Sequence, residues 1–218
     1  MCIIVALFSG NGNSAHKVAR MWAKSILLVS RVKISPKGLF WLDRSRPYIY
    51  MSNHQSHYDI PVLYSCLDVQ FRWLAKVELF KIPIFGQAMK QAGYISINRS
   101  NRQSAFESLD TAAAKIRNGV SVLIFPEGTR SNDDNIGPYK KGGFVLAVDS
   151  GVPIVPVVIR GTRAVLPKRE FKITPGNVTL EIKKPIDTFG YSRKNKDELL
   201  EIVRKSMSET YYDNKGRK

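Results

Sequence analysis

The sequence predicts an α/β fold: a single domain with a mixed central β-sheet flanked by helices, and with an N-terminal amphipathic helix. Short apolar segments rich in Val, Ile, Tyr and Phe alternate along the chain with segments of helical periodicity. A Pro-Gly-Asn turn at residues 175–177 indicates a hairpin, which makes the sheet mixed rather than wholly parallel. With 218 residues and 44% hydrophobic content, the chain is long and apolar enough for one globular core.

Residues 1–33 are predicted to be a membrane-interface segment that precedes the main domain at 34–218. Cys2–Phe8 is apolar, but it is too short to span a bilayer, and no basic residues precede it as in a signal peptide. A helix is predicted from His16 to Lys33, with Lys and Arg along one stripe and Val, Met, Trp and Ile along the other. Such a helix suits either a membrane interface or ordinary packing on the core. We expect attachment to a membrane rather than spanning.

The polar stretch SNHQSHYD follows a predicted strand at Pro47–Met51 and precedes a predicted helix at Ile60–Leu67. Open α/β sheets place their sites where a buried strand ends before a helix, so His54 and Asp59 are candidate catalytic residues. Their spacing lets the carboxylate hold one imidazole nitrogen and leave the other free, as in a general base. Helix capping and a metal site that includes His57 are the alternatives. We expect no metal, because the chain has three His and its two Cys lack ligand spacing.

Two further predicted strands also end in polar residues. Arg99 follows a strand at Tyr94–Ile97, and Glu127 and Arg130 follow a strand at Val120–Phe125. If the strands are neighbours, these groups converge at one edge of the sheet, where an Arg pair suits an anion. Taken singly, the Arg residues are typical solvated loop charges, and Glu127 with Arg130 is a local turn ion pair. The intervening elements are a strand at Phe71–Ala75, a helix at Ile82–Gly93 and a helix at Gln103–Arg117.

The last part of the chain completes the sheet. We predict a helix at Gly142–Gly151, a strand at Val152–Ile159, a hairpin at Phe171–Ile182 and a closing amphipathic helix at Lys194–Tyr211. Pro156 indicates that its strand lies at an edge or carries a bulge. Ile202 is predicted on the inner face of the closing helix.

The charge balance predicts anionic partners. The chain has 34 Lys and Arg against 18 Asp and Glu, a formal net charge of +16. That excess is typical of proteins that bind nucleic acid, an acidic lipid surface or phosphorylated substrates, and it does not choose among them. The two Cys, far apart in the sequence, indicate free thiols and a reducing compartment.

Several motifs in a fixed order resemble the glycerolipid acyltransferase family, most closely the bacterial 1-acyl-sn-glycerol-3-phosphate acyltransferases. NHxxxxD stands at Asn53–Asp59 and FPEGTRS at Phe125–Ser131, with GxxxxxR at Gly93–Arg99 between them and VPIVPVVI at Val152–Ile159 after them. An isolated HxxxxD is weak evidence, whereas FPEGTRS in the right order behind it is specific. The resemblance runs from about Lys33 to Gly161, and it outweighs the capping and turn-charge alternatives.

The resemblance implies a role for each motif residue. His54 would be the general base, oriented by Asp59, and the acceptor hydroxyl would attack an acyl thioester directly, without an acyl-enzyme. The residues that would bind the acceptor are Arg99, Glu127, Gly128, Thr129 and Arg130. The residues that would support the site are Asn53, Gly93, Phe125, Pro126, Ser131 and Lys141.

The implied reaction is transfer of a fatty acyl group to the sn-2 hydroxyl of lysophosphatidic acid, which gives phosphatidic acid in phospholipid synthesis. The donor would be acyl-CoA or acyl carrier protein, as a co-substrate and not a cofactor. The enzyme would lie on the cytoplasmic face of the inner membrane as a peripheral or monotopic protein. The same chemistry on a lysophospholipid, glycerol-3-phosphate or a lyso-ornithine lipid is one alternative. A non-catalytic, basic nucleic-acid-binding protein is a remote one, since the sequence contains no nucleic-acid reader motif; we expect no nucleic acid partner.

Overall fold

The computed structural model describes residues 12–98 and 101–213, apart from the side chain of Arg102. Within them, one sheet contains β1 (Val32–Lys37), β2 (Ile49–Ser52), β3 (Arg72–Lys76), β4 (Ile95–Ile97), β5 (Val122–Ile124), β6 (Ile154–Arg160) and β7 (Gly176–Ile182). The α-helices are α1 (Asn13–Val29), α2 (Asp59–Cys66), α3 (Phe85–Gln91), α4 (Arg102–Arg117), α5 (Gly142–Ser150), α6 (Thr162–Val165) and α7 (Lys196–Tyr212). Two short 3-10 helices lie at Leu39–Trp41 and Val77–Lys81.

The sheet is mixed, as predicted. Its strand order is β1-β7-β6-β2-β5-β3-β4, and every neighbouring pair is parallel except β6–β7, which is antiparallel. Helices cover both faces. Ile49 and Met51 of β2 point into a core with α4, α5 and α7, whereas Tyr48 and Tyr50 point into a second core with α1 and α2. Burial on both faces fixes the ends of the central strands.

Helix α1 ends earlier than predicted. It stops at Val29 rather than Lys33, and Val32 opens strand β1. Arg31 between them has a positive φ of 53°, which is incompatible with a continuing helix. Pro36 lies in β1, an edge strand, where its missing N–H removes no essential ladder bond. The prediction failed because β1 pairs with the distant strand β7, a contact that leaves no local signal.

The predicted hairpin is also wrong. Residues 171–174 form no strand, and β7 pairs with β6 on one side and β1 on the other. Pro156 lies in β6, an interior strand, so the predicted edge position is wrong as well. The antiparallel register between β6 and β7 starts at Val157, and the carbonyl of Pro156 accepts from the N–H of Lys183. Pairing resumes beyond the proline at a bridge between Ile154 and Ile186, with three residue steps on β6 against four on the partner segment. Pro156 therefore lies at a bulge, the other position predicted for it, where no donor is required.

The two terminal helices expose apolar side chains. Ile202 of α7 is exposed instead of facing inward, while Leu199, Val203 and Met207 of the same helix are buried as predicted. Helix α1 buries Ala15, His16, Ala23 and Leu27 and exposes Met21, Trp22, Leu28 and Val29. The buried side of α1 packs on the core, and its exposed apolar side chains are available to a membrane interface. The structure is therefore compatible with both alternatives for this helix. No helix among the described residues is long and apolar enough to cross a membrane, and Cys2–Phe8 lies outside those residues.

Candidate active site

Three neighbouring strands end at one edge of the sheet and bring the main motifs together. Strand β2 lies between β6 and β5, and all three run in the same direction. His54 follows β2, Glu127 follows β5 and Thr162 follows β6. The convergence expected from the sequence is therefore confirmed for the loops after β2 and β5. Residue 99, which follows the edge strand β4, lies outside the described residues.

The centre of this edge is a hydrogen-bonded pair. His54 Nδ1 lies 2.7 Å from Asp59 Oδ2, and the Asp59 side chain is fully buried. The same carboxylate oxygen accepts the backbone N–H groups of Gln55 at 2.7 Å and Ser56 at 2.9 Å. The other oxygen accepts the hydroxyl of Thr162 at 2.5 Å. Four donors thus fix the carboxylate, which sets the imidazole with its proton on Nδ1.

The remaining nitrogen of His54 is available to a substrate. Nε2 has no hydrogen-bond partner among the described residues, and the side chain is 14% exposed. The imidazole stacks on the ring of Phe125, with centroids 3.8 Å apart and planes 8° from parallel. Phe125 in turn stacks on Trp73 at 5.5 Å. This aromatic wall restrains the ring orientation while leaving one basic nitrogen open.

Glu127 holds the loop that carries His54. One of its carboxylate oxygens accepts the backbone N–H of His54 at 2.8 Å, and the other accepts the N–H of Gly137 at 2.8 Å. Burial raises the pKa of the Glu127 carboxyl, while these two N–H groups and the neighbouring His54 favour its ionised form. With each oxygen accepting a backbone N–H group, the side chain joins the loop of His54 to the segment of Gly137.

The other supporting residues fix the backbone around this pair. Asn53 is fully buried, and its amide exchanges two hydrogen bonds of 2.8 Å with the backbone of Ile159 in β6. The N–H of Ser131 donates to the carbonyl of His54 at 2.8 Å. The carbonyl of buried Pro126 accepts from the N–H of Lys140 at 2.7 Å. Strands β2 and β6 and the loop after β5 are therefore joined through side chains and backbone that the NHxxxxD and FPEGTRS motifs supply.

The turn after Glu127 carries the candidate anion-binding residues. Gly128 has a positive φ of 74°, a conformation that favours glycine. Thr129 is exposed and Arg130 is half-buried, and the Arg130 guanidinium makes no hydrogen bond or ion pair with the described residues. Burial, followed by the charge of Arg130, lowers the pKa of His57. His57 is exposed, and no group of three or more potential ligands for a metal ion occurs within the described part of the chain.

Two predicted residues stand apart from the pair. The ammonium of Lys141 contacts Asp197 of α7 at 2.7 Å, which directs it toward that helix. Gly93 follows α3 with a positive φ of 76°, and an added Cβ would come within 2.9 Å of the Arg72 side chain. Gly93 therefore allows the tight turn before β4 and the close approach of Arg72 to it.

Sequence reasoning missed three contributors. Thr162 comes soon after the predicted strand at Val152–Ile159. The rule that sites lie where a buried strand ends, which selects His54, would therefore also select Thr162. Lys168 donates to the carbonyl of Arg130 and to Asn132, both at 2.7 Å, and Arg163 donates to the carbonyls of residues 132 and 133. Because these contacts join segments that are distant in the sequence, no spacing predicts them.

An apolar cavity of about 270 Å³ lies behind Phe125. Its lining includes Leu74, Ile97, Ala105, Leu109 and Ile124, together with the glycines at the start of α5. Phe125 lines this cavity and also stacks on the His54 ring, so one aromatic side chain is shared by the cavity and the candidate base.

Comparisons with known proteins agree with this geometry. A family model described as Acyltransferase matches residues 33–160. The crystal structure of the 1-acyl-sn-glycerophosphate (LPA) acyltransferase PlsC from Thermotoga maritima superposes with a TM-score of 0.80 and 31% sequence identity. The match covers 94% of this chain and 81% of that one. The predicted fold class is therefore confirmed.

Two relatives extend the comparison. The chain is 39% identical over 173 residues to the chloroplastic 1-acyl-sn-glycerol-3-phosphate acyltransferase BAT2 of Brassica napus, covering 78% of this chain and 50% of the relative. It is 30% identical over 208 residues to the human 1-acyl-sn-glycerol-3-phosphate acyltransferase alpha, and the match covers 95% of this chain and 74% of the human protein. The chain spans about half the length of the chloroplastic relatives that it matches. The chain belongs to the acyltransferase family.

Proposed function

We propose that the protein transfers a fatty acyl group from an acyl thioester to the sn-2 hydroxyl of lysophosphatidic acid, giving phosphatidic acid and a free thiol. The observation that carries the proposal is the buried pair of His54 and Asp59, with Nε2 open at the edge where Arg130 also lies. The family and the names of the relatives support the acceptor class.

In the proposed reaction, the acceptor hydroxyl donates its proton to Nε2 of His54 as its oxygen attacks the thioester carbonyl. Asp59 stabilises the imidazolium that forms. The tetrahedral intermediate then expels the thiolate, which takes the proton from Nε2. One ester bond forms and one thioester bond breaks, with no acyl-enzyme. Base catalysis of this kind contributes about 10²–10⁴-fold.

The acceptor phosphate is proposed to lie against Arg130, whose guanidinium can bind two phosphate oxygens at once. Gly128 and Thr129 would line the same pocket, and Arg99 would complete it. We propose that Glu127 positions the His54 loop and does not bind the acceptor phosphate, because its ionised carboxylate accepts two backbone N–H groups and has no proton to donate to a phosphate.

The donor is proposed to place the start of its acyl chain in the cavity behind Phe125, because its apolar lining suits a hydrocarbon chain. Acyl-CoA and acyl carrier protein both present the required thioester, and neither acts as a cofactor. The net charge of +16 suits the phosphate groups of either donor, the acceptor and an anionic lipid leaflet. We propose that the enzyme works at the cytoplasmic face of the membrane, with α1 in contact with the lipid.

A thiol-release assay with palmitoyl-CoA and lysophosphatidic acid tests the proposal. His54→Ala is expected to lower kcat at least about 100-fold, since base catalysis is lost. His57→Ala, which replaces an exposed His beside the same loop, is the matched control and should retain most of the activity. Equal losses in both variants would argue against His54 as the base.

The outcome also separates the alternatives. If wild type releases thiol only with another lyso-lipid or with glycerol-3-phosphate, the chemistry stands and the acceptor changes. If no pair of thioester donor and acceptor reacts, but wild type and the His54→Ala variant bind nucleic acid equally well, the catalytic proposal fails.

A further inference from the structure

The loop at residues 166–175, between α6 and β7, exposes large apolar side chains beside cations. Phe171 is 97% exposed and Ile173 is 48% exposed. Arg169, Glu170 and Lys172 are also exposed, and neither of the two cations forms an ion pair within the described residues. Placing a bare phenyl ring in water is unfavourable unless a partner covers it, and cations beside it favour an anionic partner.

Strand pairing brings a second exposed apolar segment to this loop. β1 and β7 are parallel, with Val32 opposite Gly176 at their start. The residues that precede both strands therefore lie at the same end of the pair. On the β1 side these are Leu28 and Val29 at the end of α1, 79% and 83% exposed. We name the set Leu28, Val29, Phe171 and Ile173 the edge patch.

The edge patch lies on the same edge of the sheet as the candidate active site. β7 is antiparallel to β6, so β7 begins where β6 ends, and the chain passes from β6 to Thr162 there. The loop is also bonded to the site, because Lys168 Nζ donates to the carbonyl of Arg130 at 2.7 Å. At the end of α1, the hydroxyl of Ser30 is hydrogen-bonded to Tyr58, next to Asp59.

We propose that the edge patch is a docking surface for an anionic lipid bilayer, with Phe171 as its main anchor. Phe171 and Ile173 enter the interface from one segment and Leu28 and Val29 from another, while Arg31, Arg169 and Lys172 contact lipid phosphates. Two separate segments then hold the active-site edge against the membrane, where an acceptor lysolipid resides. That benefit rests on the proposed function, whereas the lipid contact itself does not.

Phe189 shows why exposure alone is insufficient. It is 94% exposed, nearly as much as Phe171, but its backbone N–H is bonded to the Asp187 carboxylate. Its neighbour Thr188 donates to the carbonyl of Val152, just before the start of β6, at the edge opposite the site. Both rings have a carboxylate nearby, Glu170 beside Phe171 and Asp187 beside Phe189, so the edge of the sheet is what distinguishes them. Phe189 lies at the wrong edge and serves as a matched control.

The test is sedimentation of the 218-residue chain with vesicles of phosphatidylglycerol and phosphatidylcholine. Phe171→Ser is expected to lower the partition coefficient about tenfold, which corresponds to about 1.4 kcal/mol. Phe189→Ser should have the wild-type partition coefficient. Phe171→Trp should bind vesicles more tightly than Phe171→Ser does, because Trp suits the interface. All variants should unfold at the wild-type temperature, since both rings are exposed. On vesicles of phosphatidylcholine alone, wild-type binding should fall as well.

Two results would overturn the proposal. In the first, Phe171→Ser binds vesicles as tightly as wild type and Phe189→Ser do. In the second, Phe171→Ser retains vesicle binding while its KM for an acyl-carrier-protein donor rises, which would make the loop a protein-docking site. Activity on a water-soluble, short-chain lysophosphatidate is measured in parallel. If wild type is inactive there but Phe171→Ser still loses vesicle binding, the proposed function fails and the lipid surface stands.

Discussion

Replacing Asp59 by Asn separates the charge of this residue from its geometry. The amide can turn its oxygen toward His54, where it still accepts the N–H groups of Gln55 and Ser56. Its NH₂ then faces Thr162, whose hydroxyl can rotate to accept. The reverse orientation would aim the NH₂ at two backbone N–H groups, and each unpaired group costs about 1–3 kcal/mol. The first orientation therefore dominates, and His54 keeps its proton on Nδ1.

Asp59→Asn should thus remove the negative charge and preserve the tautomer. A hydrogen bond to a charged group contributes about 1.5–3 kcal/mol, and this stabilisation of the imidazolium is largely lost. We expect kcat for thiol release, at saturating donor and acceptor, to fall about 10- to 100-fold. Asp197→Asn, which changes an exposed carboxylate paired with Lys141, should leave kcat unchanged.

Nitrogen-15 NMR of the imidazoles reads the tautomer directly, and with three His in the chain the spectrum is simple to assign. The orientation argument is refuted if Asp59→Asn shows an Nε2-protonated His54 together with a loss of about 10⁴-fold, the size expected for a wrong tautomer. An unchanged kcat would instead refute any catalytic role for the pair.

The remaining predictions concern the surroundings of the pair. Thr162→Val should destabilise the fold by about 1–3 kcal/mol in urea unfolding and lower kcat, whereas Thr188→Val, at the opposite edge, should lower stability alone. Ala105→Phe, which fills the apolar cavity, should shift kcat/KM toward shorter acyl-CoA chains, while Ala114→Phe on the exposed side of the same helix should not. Burial lowers the pKa of His16 from 6.5 to about 4, so below pH 6.5 the unfolded chain binds a proton that the folded chain does not. Stability should therefore fall by about 1.5–2 kcal/mol from pH 6.5 to about pH 5, and His16→Phe, measured by urea unfolding at both pH values, should abolish the fall.

Local patterns were sufficient for the strands and loops that form the candidate site. The apolar runs at 47–51 and 120–125, each followed by polar residues, predicted two strands, and they predicted that His54 and Glu127 would meet if those strands were neighbours. The hydrogen bonds made by side chains in the loops were harder to predict from the sequence. Glu127 sits in a family motif, yet its contacts with the N–H groups of His54 and Gly137 depend on loop geometry that the motif does not encode.

Long-range pairing accounts for most of the errors. The alternation of basic and apolar residues continues from α1 into Val32–Lys37, which also contains a Ser-Pro step. This pattern predicted the end of a helix and not a strand. Only the distant partner β7 makes it part of the sheet. Pro156 predicted an edge or a bulge because proline lacks a donor, and it lies at a bulge, where the regular β6–β7 ladder is interrupted. In each case the local residues permit the observed structure without specifying it.

The reversed direction of β7 connects the sheet topology to the proposed lipid-docking surface. Because β7 is antiparallel to β6 and parallel to β1, both β1 and β7 begin at the edge where His54 lies. Helix α1 must then run toward that edge to deliver the chain into β1, and it arrives with Leu28 and Val29 exposed. In a wholly parallel sheet, β1 and β7 would begin at the opposite edge, and the apolar end of α1 and Phe171 would lie far from the base. The mixed sheet therefore brings the proposed lipid-docking surface and the open nitrogen of His54 to the same edge.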